Sequence, residues 1–275
     1  MEIRCIALDL DRTTLDAQGR LSPGNRAALE HAIARGIHIV IASGRAFATL
    51  PADILAVPGI EYAITSNGAA VYHLPTGRCL HRCTLTPRSV EQVLSLTRDL
   101  PLAYEAFVDG QAYAQADFVR RPECYGTSDR GAVYVRQTRQ PVEDFFAFVR
   151  AHLHELDSLD LVTGDRSLLA KLRQELACQV DDLYITSSAP QLLELSNRQC
   201  GKHAGVRFVA CLLSLSPAQI AAFGDGDNDA DMLSFVGQGI AMANATPACL
   251  AAARHVTLDH GRDGVAYGIR TILGI

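Results

Sequence analysis

Tryptophan is absent from this 275-residue sequence, and Phe and Tyr together bring aromatics to only 6%. Flat stacking surfaces for bases or sugar rings are therefore sparse. Positive charge is not in excess: 25 Lys and Arg face 30 Asp and Glu, for a net charge of -5. That balance argues against the basic face a nucleic-acid polymer needs. No apolar run reaches the roughly 18 residues that span a bilayer, so no membrane role is expected. The eight cysteines include no CxxC pair and no Cys/His cluster at zinc spacing. They read as reduced, mostly buried thiols of a cytoplasmic protein, and Cys79 and Cys83 as residues around a strand and turn. Low-complexity tracts and fixed-period repeats are missing. Met1 to Arg4 runs straight towards a strand with no basic stretch before an apolar one, so a secretory signal is not expected.

What is present is an alternation of strands and helices. At 48% hydrophobic, the chain can build one large core or two smaller ones. Ile3 to Leu8 reads as a buried strand. Ser22-Pro23 opens a helix with Ala28, Leu29, Ala32 and Ile33 on its apolar stripe, and Gly36 sits at its left-handed stop. Ile37 to Ala42 is a second buried strand, and Tyr62 to Thr65 a third. Such strand-helix-strand repeats predict parallel pairing with right-handed crossovers. Near residue 84 the pattern changes. A helix over 87–99 precedes short strands at Ala103 to Val108 and Ala112 to Ala114, joined by the turn signal Asp109-Gly110. Val133 to Val135 reads as another short strand, followed by helical 142–152, strand-like 159–163, helical 167–177, and strand-like 183–186 and 192–195. The parallel pattern returns with a helix from Lys202, a strand over Ile220 to Phe223 and a short strand at Ile240 to Met242. The expected fold class is α/β: a Rossmann-like parallel-sheet core, residues 1–83 and 191–275, interrupted by an inserted α+β cap domain at 84–190.

Asp9 and Asp11 stand where the first buried strand ends. Two acids that close repel, and a cation is expected between them. Strand ends in open α/β sheets are also where ligands bind. A phosphate ester needs an in-line nucleophile, a proton for the leaving oxygen and an offset for its negative charge. Asp9 could be the nucleophile, and Asp11, two residues on and on the same side of an extended chain, the general acid and base. Ser43 could donate to the phosphate, Lys202 supply a fixed positive charge, and Asp225 complete an all-oxygen shell that favours Mg2+. Taken singly, Ser43-Gly44-Arg45 is a turn and Lys202 a solvated helix start. Asp225, Asp227, Asp229 and Asp231 fall at EF-hand positions one, three, five and seven. Position six is Ala230 and position twelve Val236, so the required glycine and bidentate glutamate are missing.

The order and spacing of Asp9-Leu10-Asp11-Arg12-Thr13, Ser43, Lys202 and Gly224-Asp225-Gly226-Asp227-Asn228-Asp229 resemble the four motifs of the haloacid dehalogenase superfamily. Ser43-Gly44-Arg45, Ser66-Asn67-Gly68-Ala69, Gly201-Lys202, the run from Asn228 to Leu233, Ala241 to Ala245 and Asp263 to Ala266 resemble its Cof-type branch of phosphatases, which carries a large α/β cap between the second and third motifs. The resemblance implies a Mg2+-dependent phosphoric monoester hydrolase acting on a small phosphorylated metabolite (a sugar phosphate, nucleotide or phosphorylated cofactor) through an aspartyl-phosphate. It gives Asp9 and Asp225 metal-binding roles, with Asp11 ligating through its backbone carbonyl. Ser43 and Lys202 would hold the phosphoryl group and Asn228 contact it. Asp229 would orient Lys202 or a metal-bound water, and Thr13 would support the site. Gly44, Arg45, Asn67 and Gly68 would line the phosphate or substrate. The family usually has glycine where Arg12 stands; Arg12 is expected to fit ordinary backbone geometry and face solvent, the alternative being a cation offered to the substrate or a clamp on the cap. Arg120, Arg121, Arg136 and Arg139 are read as facing solvent, with lining the site as the alternative. A phosphotransferase or phosphomutase using the same covalent step is an alternative. A phospho-aspartate signalling module is another, although such modules do not usually carry a cap.

Overall fold

A computed structural model describes residues 2–275; Met1, which opens the segment read as leaderless, lies outside them. In chain order the strands are β1 (Cys5–Leu8), β2 (His38–Ala42), β3 (Ile60–Thr65), β4 (Ala70–His73), β5 (Arg78–Arg82), β6 (Ala103–Val108), β7 (Gln111–Gln115), β8 (Gln140–Val142), β9 (Leu156–Val162), β10 (Leu183–Thr186), β11 (Leu192–Asn197), β12 (Ile220–Gly224), β13 (Gln238–Ala241) and β14 (His255–Val256). They form an eight-stranded sheet, β14-β13-β12-β1-β2-β3-β4-β5, and a six-stranded sheet, β10-β11-β9-β6-β7-β8. The chain divides into two compact units. The first holds the residues up to Arg45, Leu50–His81 and Gly201–Ile275, and the second holds Ala46–Thr49 and Arg82–Cys200. None of the described helices is long and apolar enough to cross a membrane.

In the first unit, β1, β2, β3, β12, β13 and β14 pair in parallel. Their near-continuous apolar runs follow from being covered on both faces. Ala7, Val40, Ala222 and Ala241 pack in one cluster with Val206, Val209 and Ala210 of the helix Lys202–Leu212. Parallel pairing places the carboxyl ends of these strands along one edge, where Asp9, Ser43, Ser66 and Asp225 immediately follow β1, β2, β3 and β12. Strand β5 carries Cys79 with Cys83 just beyond it, as expected; its hairpin with β4, and the antiparallel course of β4 beside β3, are additions the sequence pattern did not reveal. The helix at Ser22-Pro23 forms as its capping signals require: the Ser22 hydroxyl accepts the Asn25 N–H, and Gly36 lies at φ +78°.

The second unit has its own core. Tyr104, Leu159, Leu161, Leu193 and Leu195 on one face of its sheet pack against the helices Pro87–Thr97, Phe145–Ala151 and Arg166–Gln179. Asp109 and Gly110, at φ +47° and +75°, make the expected tight turn between β6 and β7. Because β11 pairs with β9 and β10, residues 191–200 go with this unit rather than with the parallel sheet, so the expected boundary at 190 moves towards Cys200.

Val133 to Val135, read as a strand, lies inside the helix Asp129–Thr138. Ser128 caps that helix, Ala132 and Val135 face inwards, and Val133 is 51% exposed. The helical spacing of its buried residues overrides the β preference of two valines. Glu105, Asp160 and Glu194 are cross-strand neighbours on β6, β9 and β11, and all are buried. Arg139, expected in solvent, is buried instead, its guanidinium forked onto Glu105 at 2.7 and 2.9 Å. Burial, then Glu194 and Glu105, pushes the Asp160 carboxyl well above the usual range. Arg120 and Arg136 keep to the surface, paired with Glu143 and Glu123.

Candidate active site

The site assembles where the chain leaves β1, because β12 lies directly beside β1 in the sheet. Asp9 and Asp225 follow these adjacent strands, and both are buried. Lys202 begins its helix fully buried, and its ammonium donates to Asp9 Oδ1 and to Asp229 Oδ1, each at 2.6 Å. The solvated reading of this lysine is therefore wrong. Burial opposes its charge, but Asp229 and Asp9 outweigh that cost and hold the ammonium protonated far above its ordinary range. Asp229 Oδ2 accepts the backbone N–H groups of Asp225 and Gly226, both at 2.9 Å. Every oxygen of Asp229 thus has a donor, and its geometry is that of a residue that aims Lys202.

Carboxylate oxygens of Asp9, Asp225 and Asp229 lie within 4.8 Å of one another. Burial, followed by Asp229, pushes Asp9 well above the usual carboxylate range, against the pull of Lys202. The same two causes push Asp225 up to about 6, against Thr13, Arg12 and Lys202. One ammonium is too little charge for three buried carboxylates. The deficit and the all-oxygen donor set fit a hard divalent cation such as Mg2+. Thr13 donates to Asp225 Oδ1 at 3.0 Å, and the Thr14 hydroxyl donates to the Asp9 carbonyl at 2.5 Å, fixing the first turn after β1.

Asp11 itself keeps extended angles, φ -70° and ψ +123°. The chain turns after Asp9, and Arg12 adopts left-handed φ +60° and ψ +13°. Arg12 therefore occupies the backbone conformation that a glycine would allow, contrary to the expected ordinary geometry. Its side chain is 59% exposed, with Nε 3.7 Å from Asp225 Oδ2. The Asp11 carboxylate is gripped at both oxygens by Arg45, Nε and Nη2 each at 2.7 Å. Arg45 thus meets the expected acid and base directly, a role the sequence reading did not assign it.

Ser43 is buried at the end of β2, and its hydroxyl oxygen accepts the Arg45 N–H at 3.2 Å. Gly44 completes that turn. Asn228 donates to Asn67 Oδ1 at 2.9 Å, joining the β3 and β12 loops. Ser66, Asn67 and Gly68 have φ +48°, +52° and +91°, three left-handed residues in succession. This turn braces the start of the lysine helix: the Gly201 N–H donates to the Asn67 carbonyl at 2.8 Å. A Cβ on Gly68 would lie 2.1 Å from the Gly201 carbonyl oxygen, so Gly68 abuts backbone rather than open space. Asn244 has a place that sequence reasoning missed. Its amide donates to Asp225 Oδ2 at 3.2 Å and to the Arg12 carbonyl at 3.0 Å. The signal available was its position in Ala241 to Ala245, just beyond β13 on the same sheet edge.

Known proteins resemble this chain over nearly its whole length. Phosphatase YwpJ of Bacillus subtilis is 29% identical over 98% of this chain and 100% of its own length. An HMP-PP phosphatase of Cronobacter sakazakii is 28% identical over 95% of this chain and 92% of its own. The solved structure of a haloacid dehalogenase-like hydrolase from B. subtilis superimposes with a TM-score of 0.83 at 26% identity, covering 98% of this chain and 100% of that one. The model of the haloacid dehalogenase-like hydrolases matches residues 6–269, and the chain belongs to that family.

Proposed function

We propose that this protein is a Mg2+-dependent phosphatase that hydrolyses small phosphorylated metabolites through a phosphoryl group carried on Asp9. The observation that carries the reading is the buried Lys202 ammonium shared by Asp9 and Asp229, with Asp225 alongside on the neighbouring strand. The two relatives above are named phosphatases, one of them for HMP-PP. Their names support the reaction class and a small phosphorylated substrate.

Asp9 attacks phosphorus, and the bond to the leaving oxygen breaks as Asp11 gives that oxygen a proton. Asp11, held as a carboxylate by the Arg45 fork, must first leave that fork and take up a proton from solvent before it meets the leaving oxygen. Ser43 and Asn228 donate to the phosphoryl oxygens, and Lys202 offsets their charge while Asp229 keeps it aimed. Asp11 then takes a proton from the water that attacks the same phosphorus and frees Asp9. Mg2+ held by Asp9, the Asp11 carbonyl and Asp225 would offset the repulsion between the nucleophile and its anionic target. Gly68 and Asn67 act by holding the start of the lysine helix.

Asp9→Asn is expected to abolish Mg2+-dependent hydrolysis of an aryl phosphate while the protein keeps its circular-dichroism spectrum. Full activity in that variant would overturn the proposal.

A further inference from the structure

Cys83 and Cys200 stand at the two ends of the long segment, Arg82–Cys200, that builds the second unit. Their contact is fixed by the surrounding backbone. Asn197 donates its side-chain amide to the Thr84 carbonyl at 2.9 Å, which ties the chain after β5 to the end of β11. The Cys200 N–H turns back to the Asn197 carbonyl at 2.8 Å. The Cys200 thiol lies 3.4 Å from the Cys83 carbonyl oxygen. The neighbouring Cys200 thiol lowers the Cys83 thiol to about 7, whereas Cys83 and burial push the Cys200 thiol far above the ordinary range. Cys200 is buried and Cys83 half-buried, so a small reagent has one approach, through Cys83.

We infer that Cys83 and Cys200 form a dithiol site which a low-molecular-weight disulfide such as oxidised glutathione converts into an internal disulfide, and that its closure slows the reaction at Lys202. The exchange balances without a further reactant. The Cys83 thiolate attacks one sulfur of the small disulfide, forming a mixed disulfide and expelling one small thiolate. The Cys200 thiolate then attacks the Cys83 sulfur, forms the protein disulfide and expels the second. The two protons lost by the cysteines end on the two small thiols, which carry the two electrons.

The link to the reaction is short. Cys200 precedes Lys202 by two residues, with Gly201 at φ +113° between them. Closing a bond of about 2.05 Å between the two sulfurs pulls on Cys200, whose N–H is tied to the Asn197 carbonyl. Gly201 is itself tethered, its N–H donating to the Asn67 carbonyl at 2.8 Å, so the pull acts at the fixed start of the lysine helix. The displacement therefore reaches the ammonium that bridges Asp9 and Asp229.

The full-length protein should be incubated with oxidised glutathione, its remaining thiols alkylated, and its peptides mapped without reduction. A Cys83–Cys200 cross-linked peptide is expected, dispersed by dithiothreitol. Hydrolysis of an aryl phosphate should fall by roughly tenfold to a hundredfold and return on reduction. Cys200→Ser should leave Cys83 as a stable glutathione adduct. Cys83→Ser should keep its basal turnover and ignore the oxidant, which separates this pair from the exposed Cys124, Cys178 and Cys211. Recovery of Cys83 and Cys200 on separate peptides from folded, oxidised protein would overturn the inference. So would a cross-linked protein with undiminished turnover. The peptide map reads the bond itself, so its failure is distinct from failure of the phosphatase reading.

Discussion

Replacing Gly68 by alanine should disable the site without touching a reacting group. The new Cβ would sit 2.1 Å from the Gly201 carbonyl oxygen and 2.7 Å from its carbon. Restoring ordinary contact requires the two backbones to separate by roughly 1 Å. Overpacking of this kind costs about 1–3 kcal/mol. Alanine at φ +91° adds about 1–2 kcal/mol of backbone strain. The destabilisation should therefore total about 2–5 kcal/mol. The same separation breaks the bond from Gly201 to Asn67 and displaces Lys202, the next residue, so kcat should fall by roughly a hundredfold. Gly77→Ala is the matched control: Gly77 is also left-handed, at φ +66°, but nothing lies within 4 Å of its Cβ position. It should lose only about 1–2 kcal/mol and no turnover. Urea denaturation and steady-state hydrolysis of an aryl phosphate measure both quantities. A Gly68→Ala protein with wild-type turnover would show that the lysine helix does not depend on this contact.

Other perturbations test the charges. Arg12→Gly should relieve a left-handed arginine, gaining up to about 1 kcal/mol after the entropy cost of glycine. By removing a cation beside Asp225, it should also lower the Mg2+ concentration for half-maximal activity by up to about fivefold; no change in a Mg2+ titration would refute this. Arg139→Met should destabilise the protein by about 3–5 kcal/mol in urea, because Glu105 would be left buried beside Asp160. Asp157 is buried near Arg82, and burial pushes its carboxyl up to about 6 from an ordinary 3.8. The folded chain therefore binds this proton more tightly than the unfolded one. The resulting stability is full below pH 3.8 and is lost as pH rises to about 6. From pH 4 to pH 7, Asp157→Asn should gain on wild type by about 2 kcal/mol in urea melts, and a pH-independent difference would contradict that.

The carboxylates of the candidate site were legible because acids at the ends of apolar strands are costly unless something answers them. Asp9 and Asp225 follow such runs, and the spacing brought Lys202 and Asp229 with them. Roles that depend on backbone geometry were not legible. Gly68 belongs to a motif readable in the sequence, but its contact with Gly201 exists only once residues 68 and 201 meet. Arg12 seemed an ordinary residue because a left-handed arginine leaves no pattern. Val133 to Val135 misled because three residues of β preference say little against the ten-residue helix that contains them. The hairpin β4–β5 escaped because its strands are short and half polar. Arg139 was assigned to solvent by type, and only the register of β6, β9 and β11 reveals the buried acids that summon it.

The order of the large sheet also governs how the molecule is made. Strand β1 emerges first, yet one of its two neighbours, β12, lies more than two hundred residues downstream. During synthesis on the ribosome one flank of β1 has no native mate, and the nascent sheet exposes an open row of amides and carbonyls there. The intervening segment is complete well before that mate arrives, and its separate core allows it to fold while the first half waits. Translation arrested before residue 220 should leave a structured middle bounded by an adhesive amino-terminal fragment. Chaperone dependence should therefore concentrate in that interval.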